Sequence, residues 1–283
     1  MTTNLPSRVD RRLVLLVLLF LAIMAGCASM EEQGGAAGPA GMRSDGTAGY
    51  LPDKTLPDSL ALLPSPPAAA SAAQAADVEA AGRALRFRGT PPWALATGDD
   101  DLTFPHAAGA FSCALNAPVT EEETPHLYVL LRRSLADAAR STFAAKDHYG
   151  RARPFMTNKE PTCSPDAERL IKSPSYPSGH AAIGWAWALI LTEVAPDRTD
   201  AVLARGLAFG QSRVICNAHW QSDVDEGRVI GATTVARLHA DPAFRADVEA
   251  ARTEIMAARA KGLKPARDCA AEATALAAFL PKR

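Results

Sequence analysis

Two long stretches of the chain repeat their apolar residues at helical steps. Leu127, Leu131, Leu135, Ala138 and Ala139 mark one stripe, and Ile183, Trp187, Ile190, Leu191 and Val194 mark another. Residues three and four apart share one helix face, so such a pattern buries one side of each helix. No long alternating run of β-branched residues accompanies them. Ala is abundant and aromatic residues make up 6% of the chain, which favours helix over sheet. The expected fold is all-α: a single-domain helical bundle of about seven or eight helices. Helices are expected over 68–87, over 125–149 with Gly150 as the stop, and from about 180 to Pro196. Others follow over 197–212, from near His219, from Pro242 and over 266–279. Pro91-Pro92-Trp93 reads as a break, and Gly98-Asp99-Asp100-Asp101 as a solvated turn or cap.

The 283 residues carry a net charge of -1, so no basic field invites nucleic acid. Residues 1–27 read as a secretory signal. Arg8, Arg11 and Arg12 precede an uncharged apolar run over 13–25, which falls short of the ~20 residues that span a bilayer. Met24-Ala25-Gly26-Cys27 resembles a bacterial lipoprotein box, which implies cleavage before Cys27 and acylation of its thiol. Ser29 at the second position after it points to the outer membrane, on the periplasmic side of the bacterial envelope. An ordinary signal peptide or an uncleaved anchor is the alternative, and Arg11-Arg12 also hints at a twin-arginine signal. Residues 28–56 are expected to form a flexible tether, with the helical domain over 57–283.

Four further cysteines, Cys113, Cys163, Cys216 and Cys269, are spread over the body without a CxxC pair. A structural zinc site is therefore not expected, and two disulfides are, in an oxidising compartment.

Three separated segments carry complementary chemistry. Lys146 is followed after six residues by Arg153-Pro154. Pro177-Ser178-Gly179-His180 precedes the second apolar stripe. Ser212-Arg213 is followed after five residues by His219, and after three more by Asp223. Each has a plain reading by itself. Lys146 in a last helical turn suits the macrodipole, Ser178 is a good N-cap, and an i,i+4 His/Asp pair is a common surface contact. Together they supply cations for phosphate, a helix start for an anion, and two imidazoles.

The ordered set resembles the signature of the type 2 phosphatidic acid phosphatase and vanadium haloperoxidase superfamily. Gly210 to Asp225, Pro161-Thr162-Cys163 and Ser175-Tyr176-Pro177-Ser178-Gly179-His180 are similar to the class A bacterial non-specific acid phosphatases, a resemblance extending over roughly residues 57–260. Ala181 stands where that class usually has Thr, and Asn217 where it usually has Gly. The resemblance implies a metal-independent acid phosphatase acting on small phosphomonoesters through a phosphohistidine. His219 would be the nucleophile, oriented by Asp223, and His180 the general acid and base. Lys146, Arg153, Ser178, Gly179 and Arg213 would hold the phosphoryl group, with inorganic phosphate and vanadate as inhibitors. With histidines near their ordinary pKa of ~6.5, a mildly acidic optimum follows. No cofactor and no metal is expected, because three cations already neutralise the phosphate. The resemblance also suggests a homodimer. It brings the segments of Cys163 and Cys216 to one pocket, so of three pairings Cys163–Cys216 with Cys113–Cys269 is the expected one.

Alternatives are a vanadium-dependent haloperoxidase using the same pocket, a lipid phosphate phosphatase, and a non-catalytic anion-binding lipoprotein. The signature is intact and no apolar span follows residue 27, so phosphomonoester hydrolysis is preferred.

Overall fold

The computed structural model describes residues 46–278, whose regular elements are all helices, with no strand among them. Nine helices of seven residues or more carry the architecture. α1 (Ala72–Ala84) starts on Ser71, whose hydroxyl accepts the Gln74 N–H. α2 (Pro91–Gly98) begins on the prolines expected to break a helix; Pro lacks only an N–H that the first turn leaves unused. The single helix expected over 125–149 is two, α3 (Pro125–Arg140) and α4 (Phe143–Tyr149). At the joint, the Ser141 and Thr142 hydroxyls donate back to the Asp137 and Ala139 carbonyls at 2.8 and 2.7 Å, the local competition that interrupts a backbone ladder. α5 (Gly179–Val194), α6 (Thr199–Ile215), α7 (Gln221–Leu238), α8 (Pro242–Ala260) and α9 (Cys269–Leu276) follow. Single helical turns at Pro154–Asn158 and Ala167–Ile171 lie in the connection between α4 and α5.

α5 is the central helix and packs against α3, α6, α7 and α8. Its Trp187 is fully buried and donates from Nε1 to the Leu131 carbonyl at 2.9 Å. Phe111 and Phe209 pack around it with ring centroids 6.2 and 6.0 Å away. Apolar side chains buried this way stabilise by about 1.5–3 kcal/mol each. α7 approaches the start of α5 so closely that a Cβ at Gly227 would strike the Ser178 carbonyl. That contact sets Ser178 beside Asp223, whose carbonyl accepts the Ser178 N–H at 2.8 Å.

The tether expected over 28–56 ends earlier. Tyr50 and Leu51 are buried, and their N–H groups donate to the Asp137 carboxylate at 2.7 and 3.2 Å. The Tyr50 hydroxyl donates to Asp247 at 2.7 Å, and the Arg133 guanidinium lies 3.7 Å over the Tyr50 ring. A buried carboxylate satisfied by two backbone amides, with stacking above, outweighs the entropy of ordering a few residues. Gly49 passes the same carboxylate so closely that a side chain would collide with it. The packed body therefore begins near Gly49 and not at residue 57. The signal segment over 1–27, Cys27 and the tether before residue 46 lie outside the described residues.

Candidate active site

α6 ends at Ile215, and a tight turn through Cys216, Asn217 and Ala218 delivers His219. Asn217 has φ +57°, a left-handed conformation that Gly adopts freely and Asn tolerates better than most residues. Its amide donates to the Asn158 side chain at 3.1 Å and the Glu160 carbonyl at 3.0 Å. The departure from Gly thus keeps the backbone path and adds a clasp. Both Ala218 and His219 donate their N–H groups to the Arg213 carbonyl, at 3.0 and 3.2 Å. The four body cysteines form disulfides Cys163–Cys216 and Cys113–Cys269. The first closes a span of 53 residues at this turn, a constraint on the unfolded chain of about 4 kcal/mol in the chain-entropy picture.

α7 starts at Gln221, two residues later than expected, so His219 stands ahead of the helix. The Asp223 carboxylate accepts the Trp220 N–H at 2.8 Å, closing the first turn. His219 is 2% exposed. Its Nε2 lies 2.9 Å from Arg153 Nη1. A guanidinium only donates, so Nε2 is the acceptor and the ring proton sits on Nδ1. Nδ1 lies 3.3 Å from Ser175 Oγ and 3.6 Å from Asp223 Oδ2. Ser175 in turn donates to Asp223 Oδ2 at 2.5 Å. The orienting contact expected from Asp223 to His219 is therefore bridged by Ser175. Asp223 Oδ1 pairs with Arg151 at 2.5 Å, and Arg151 is held by Asp77, Gln74 and Ser222 at 2.7–2.8 Å. Burial pushes the Asp223 carboxyl up, while Arg151, Ser175 and the Trp220 N–H pull it down.

Three buried cations surround this pair. Lys146 donates to the Pro174 carbonyl at 2.7 Å, and burial first, then Arg153, drives its pKa well below the ordinary lysine value. Arg153 donates from Nε to the Leu170 and Ser173 carbonyls at 2.9 and 2.8 Å; burial and then Arg213 lower it to about 9. Arg213 is fully buried and pairs through Nη2 with Asp100 Oδ1 at 2.5 Å. Its Nε and Nη1 have no hydrogen-bond partner. A buried donor left unpaired costs about 1–3 kcal/mol, which an arriving anion would remove.

At the start of α5, the Ser178 hydroxyl accepts the Ala181 N–H at 3.3 Å, and Gly179 is the first helical residue. Both are buried. His180 lies one residue further in, with Nε2 3.1 Å from the Asp100 carbonyl. A carbonyl only accepts, so Nε2 carries the proton and Nδ1 the lone pair. Burial and then Arg213 hold His180 well below the ordinary histidine value, against the pull of Asp100. Burial, followed by Arg153, Lys146, Arg213 and His180, does the same to His219.

The solvated cap expected over 98–101 is a correction. Asp99 and Asp100 are 2% and 5% exposed. Asp99 pairs with buried Arg205 and accepts the Ser212 hydroxyl at 2.7 Å. Asp100 pairs with Arg213 and accepts the Ser164 hydroxyl at 2.6 Å. Only Asp101 stays exposed, accepting the Thr103 N–H at 2.9 Å. Their partners on α6, Arg205, Ser212 and Arg213, lie more than 100 residues away along the chain, so local polarity could not place these carboxylates. Ser175, Arg151 and Asp100 are thus the neighbours that sequence reasoning missed. Two left a signal: Ser175 lies inside the matched Ser-Tyr-Pro-Ser-Gly-His stretch, and Arg151 within the spacer between Lys146 and Arg153.

Residues 126–246 match the family described as the PAP2 superfamily. The chain is 42% identical over 207 residues to a non-specific acid phosphatase of Providencia stuartii, covering 72% of this chain and 84% of the relative. It is 40% identical over 209 residues to an acid phosphatase of Zymomonas mobilis, covering 74% and 79%. A non-specific acid phosphatase of Salmonella typhimurium is 40% identical over 195 residues, covering 68% and 78%. With such identity over most of both chains, this protein belongs to the PAP2 superfamily, among its class A bacterial non-specific acid phosphatases.

Proposed function

We propose that the chain is a metal-independent acid phosphatase that hydrolyses small phosphomonoesters through a phosphohistidine at His219 Nε2. One observation carries this reading. The buried guanidinium of Arg213, with two unpaired nitrogens, stands in the same buried cluster as His219, whose Nε2 lone pair faces Arg153 while the ring proton sits on Nδ1. Nε2 attacks phosphorus, the N–P bond forms and the ester P–O bond breaks. Arg153 exchanges its contact with Nε2 for a phosphoryl oxygen, joining Lys146 and Arg213 around the developing charge. His180 donates a proton to the departing alcohol, then takes one from the water that hydrolyses the phosphoenzyme. Ser175 and Asp223 hold the Nδ1–H and stabilise the charged ring. Ser178 and Gly179 present the start of α5 to the phosphate.

The pH direction follows from the two depressed imidazoles. His219 stays neutral into acid and remains a nucleophile, while His180 must be protonated and loses its proton as pH rises. Activity should therefore lie below neutrality and fade through the alkaline side. A bound phosphate dianion offsets Arg213 and raises His180 towards a working value. A panel of p-nitrophenyl phosphate, alkyl phosphates, a phosphodiester and phosphatidic acid vesicles, assayed with chelator between about pH 4 and pH 8, tests the reading. Monoester hydrolysis should persist with chelator and be inhibited by inorganic phosphate and vanadate. Loss of turnover in chelator, preference for the vesicles, or halide oxidation with vanadate and peroxide in its place would overturn it.

Ser175→Ala should lower kcat about 5-fold, the worth of one hydrogen bond near 1 kcal/mol, because Asp223 still faces Nδ1 at 3.6 Å. A loss as large as that of Asp223→Ala would make Ser175 more than a bridge. From sequence alone we assign the N-terminus to a lipid anchor on Cys27 that holds the enzyme on the periplasmic side of the outer membrane. Fatty-acid labelling that survives Cys27→Ala would remove that assignment.

A further inference from the structure

Two consecutive carboxylates after α2 meet two consecutive residues of α6. Asp99 accepts from Ser212 and pairs with Arg205, and Asp100 pairs with Arg213. The first contact fixes the corner; the second reaches the phosphate cluster. Asp100 is also the residue whose carbonyl accepts from His180 Nε2 at 3.1 Å. Its other carboxylate oxygen accepts the Ser164 hydroxyl at 2.6 Å and faces Arg169 at 3.7 Å. One buried residue thus touches both the cation with unpaired donors and the second imidazole.

We infer that Asp100 is a positioning residue of the phosphatase: its carboxylate anchors Arg213 by Nη2, leaving Nε and Nη1 for the phosphoryl group, and supplies the negative charge beside His180. The inference rests on the phosphohistidine reading above. The charged and titratable groups facing His180 are Asp100, Arg213, Arg169 and His219. Of these, Asp100 is the anion, and it favours the imidazolium. Burial works to raise the Asp100 carboxyl, but Arg213 and His180 outweigh it and hold it far below the carboxylate range. Asp100 therefore stays ionised wherever His180 works as an acid. Removing its charge lowers the pKa of His180, so the proton is lost at lower pH.

The test compares Asp100→Asn and Asp100→Glu with the unaltered full chain. The substrates are p-nitrophenyl phosphate, whose leaving group needs little protonation, and an alkyl phosphate, whose leaving group needs a proton. Asn keeps the shape and one acceptor, for Arg213 at the Oδ1 position, but turns an amide N–H2 towards the Ser164 hydroxyl, which can accept, and loses the charge. It should reduce kcat for the alkyl phosphate about 10-fold or more, p-nitrophenyl phosphate less, and move the alkaline limb down by about 0.5–1 pH unit. Glu keeps the charge on a longer arm and should leave the limb near its original place. A residue that only supported the fold would reduce both substrates equally and leave the limb alone. Equal losses with an unmoved limb in Asp100→Asn would therefore overturn the inference. So would a limb in Asp100→Glu that moves down by about 0.5–1 pH unit although the charge is kept, an outcome that can be read even if Asn fails to fold. Failure of the unaltered chain to hydrolyse either ester would instead sink the phosphatase reading itself.

Discussion

His219→Ala should abolish turnover, with kcat falling about 10³-fold or more, and should eliminate any acid-quenched phosphoenzyme. The ring holds a position no neighbour can replace. Its Nε2 is the nitrogen facing Arg153 at 2.9 Å, and its Nδ1 is engaged through Ser175. The other imidazole, His180, has its Nε2–H committed to the Asp100 carbonyl. The variant should still bind inorganic phosphate, because Lys146, Arg153 and Arg213 remain. That retained binding, read as a phosphate-dependent rise in melting temperature, separates a lost nucleophile from a collapsed site. Residual activity within about 10-fold of the unaltered enzyme, or a labelled phosphoenzyme in the variant, would place the nucleophile elsewhere.

How much of this was legible in sequence depended on how local the deciding interaction was. The apolar stripe of α5 and the N-cap at Ser178 are written in neighbouring residues, and the structure has both. The joint at Ser141-Thr142 is also local, yet the apolar pattern of α3 runs on past it and hid the hydroxyls that divide the helix. The burial of Asp99 and Asp100 is not local. A run of three acidic residues after Gly98 has the composition of a solvated cap, and only Arg205 and Arg213 on α6 turn two of them inward. Tyr50 and Leu51 follow a Gly-rich, aperiodic stretch, and their order comes from Asp137 on α3. The spacing from His219 to Asp223 was readable, but the third atom between them was not. Ser175 comes from 44 residues upstream of the histidine, and its contacts with His219 and Asp223 exist only in the packed fold.

Arg213→Lys should lower kcat/KM about 10²–10³-fold while the chain stays folded. Arg213 has three nitrogens with divided tasks. Nη2 is committed to Asp100, and Nε and Nη1 are unpaired. Lysine preserves the charge but has one nitrogen at the end of a flexible stem, so it can satisfy Asp100 or a phosphoryl oxygen well, not both in a fixed geometry. Ala is the less informative substitution, because it strands the buried Asp100 carboxylate without its cation, a loss of about 3–5 kcal/mol that confuses stability with catalysis. Lys avoids most of that cost. The expected signature is therefore a weakened inhibition by phosphate and a large fall in kcat/KM with only a small drop in melting temperature. Activity within about 3-fold of the unaltered enzyme would mean that charge alone suffices at this position, and the unpaired nitrogens of Arg213 would then need another explanation than phosphate.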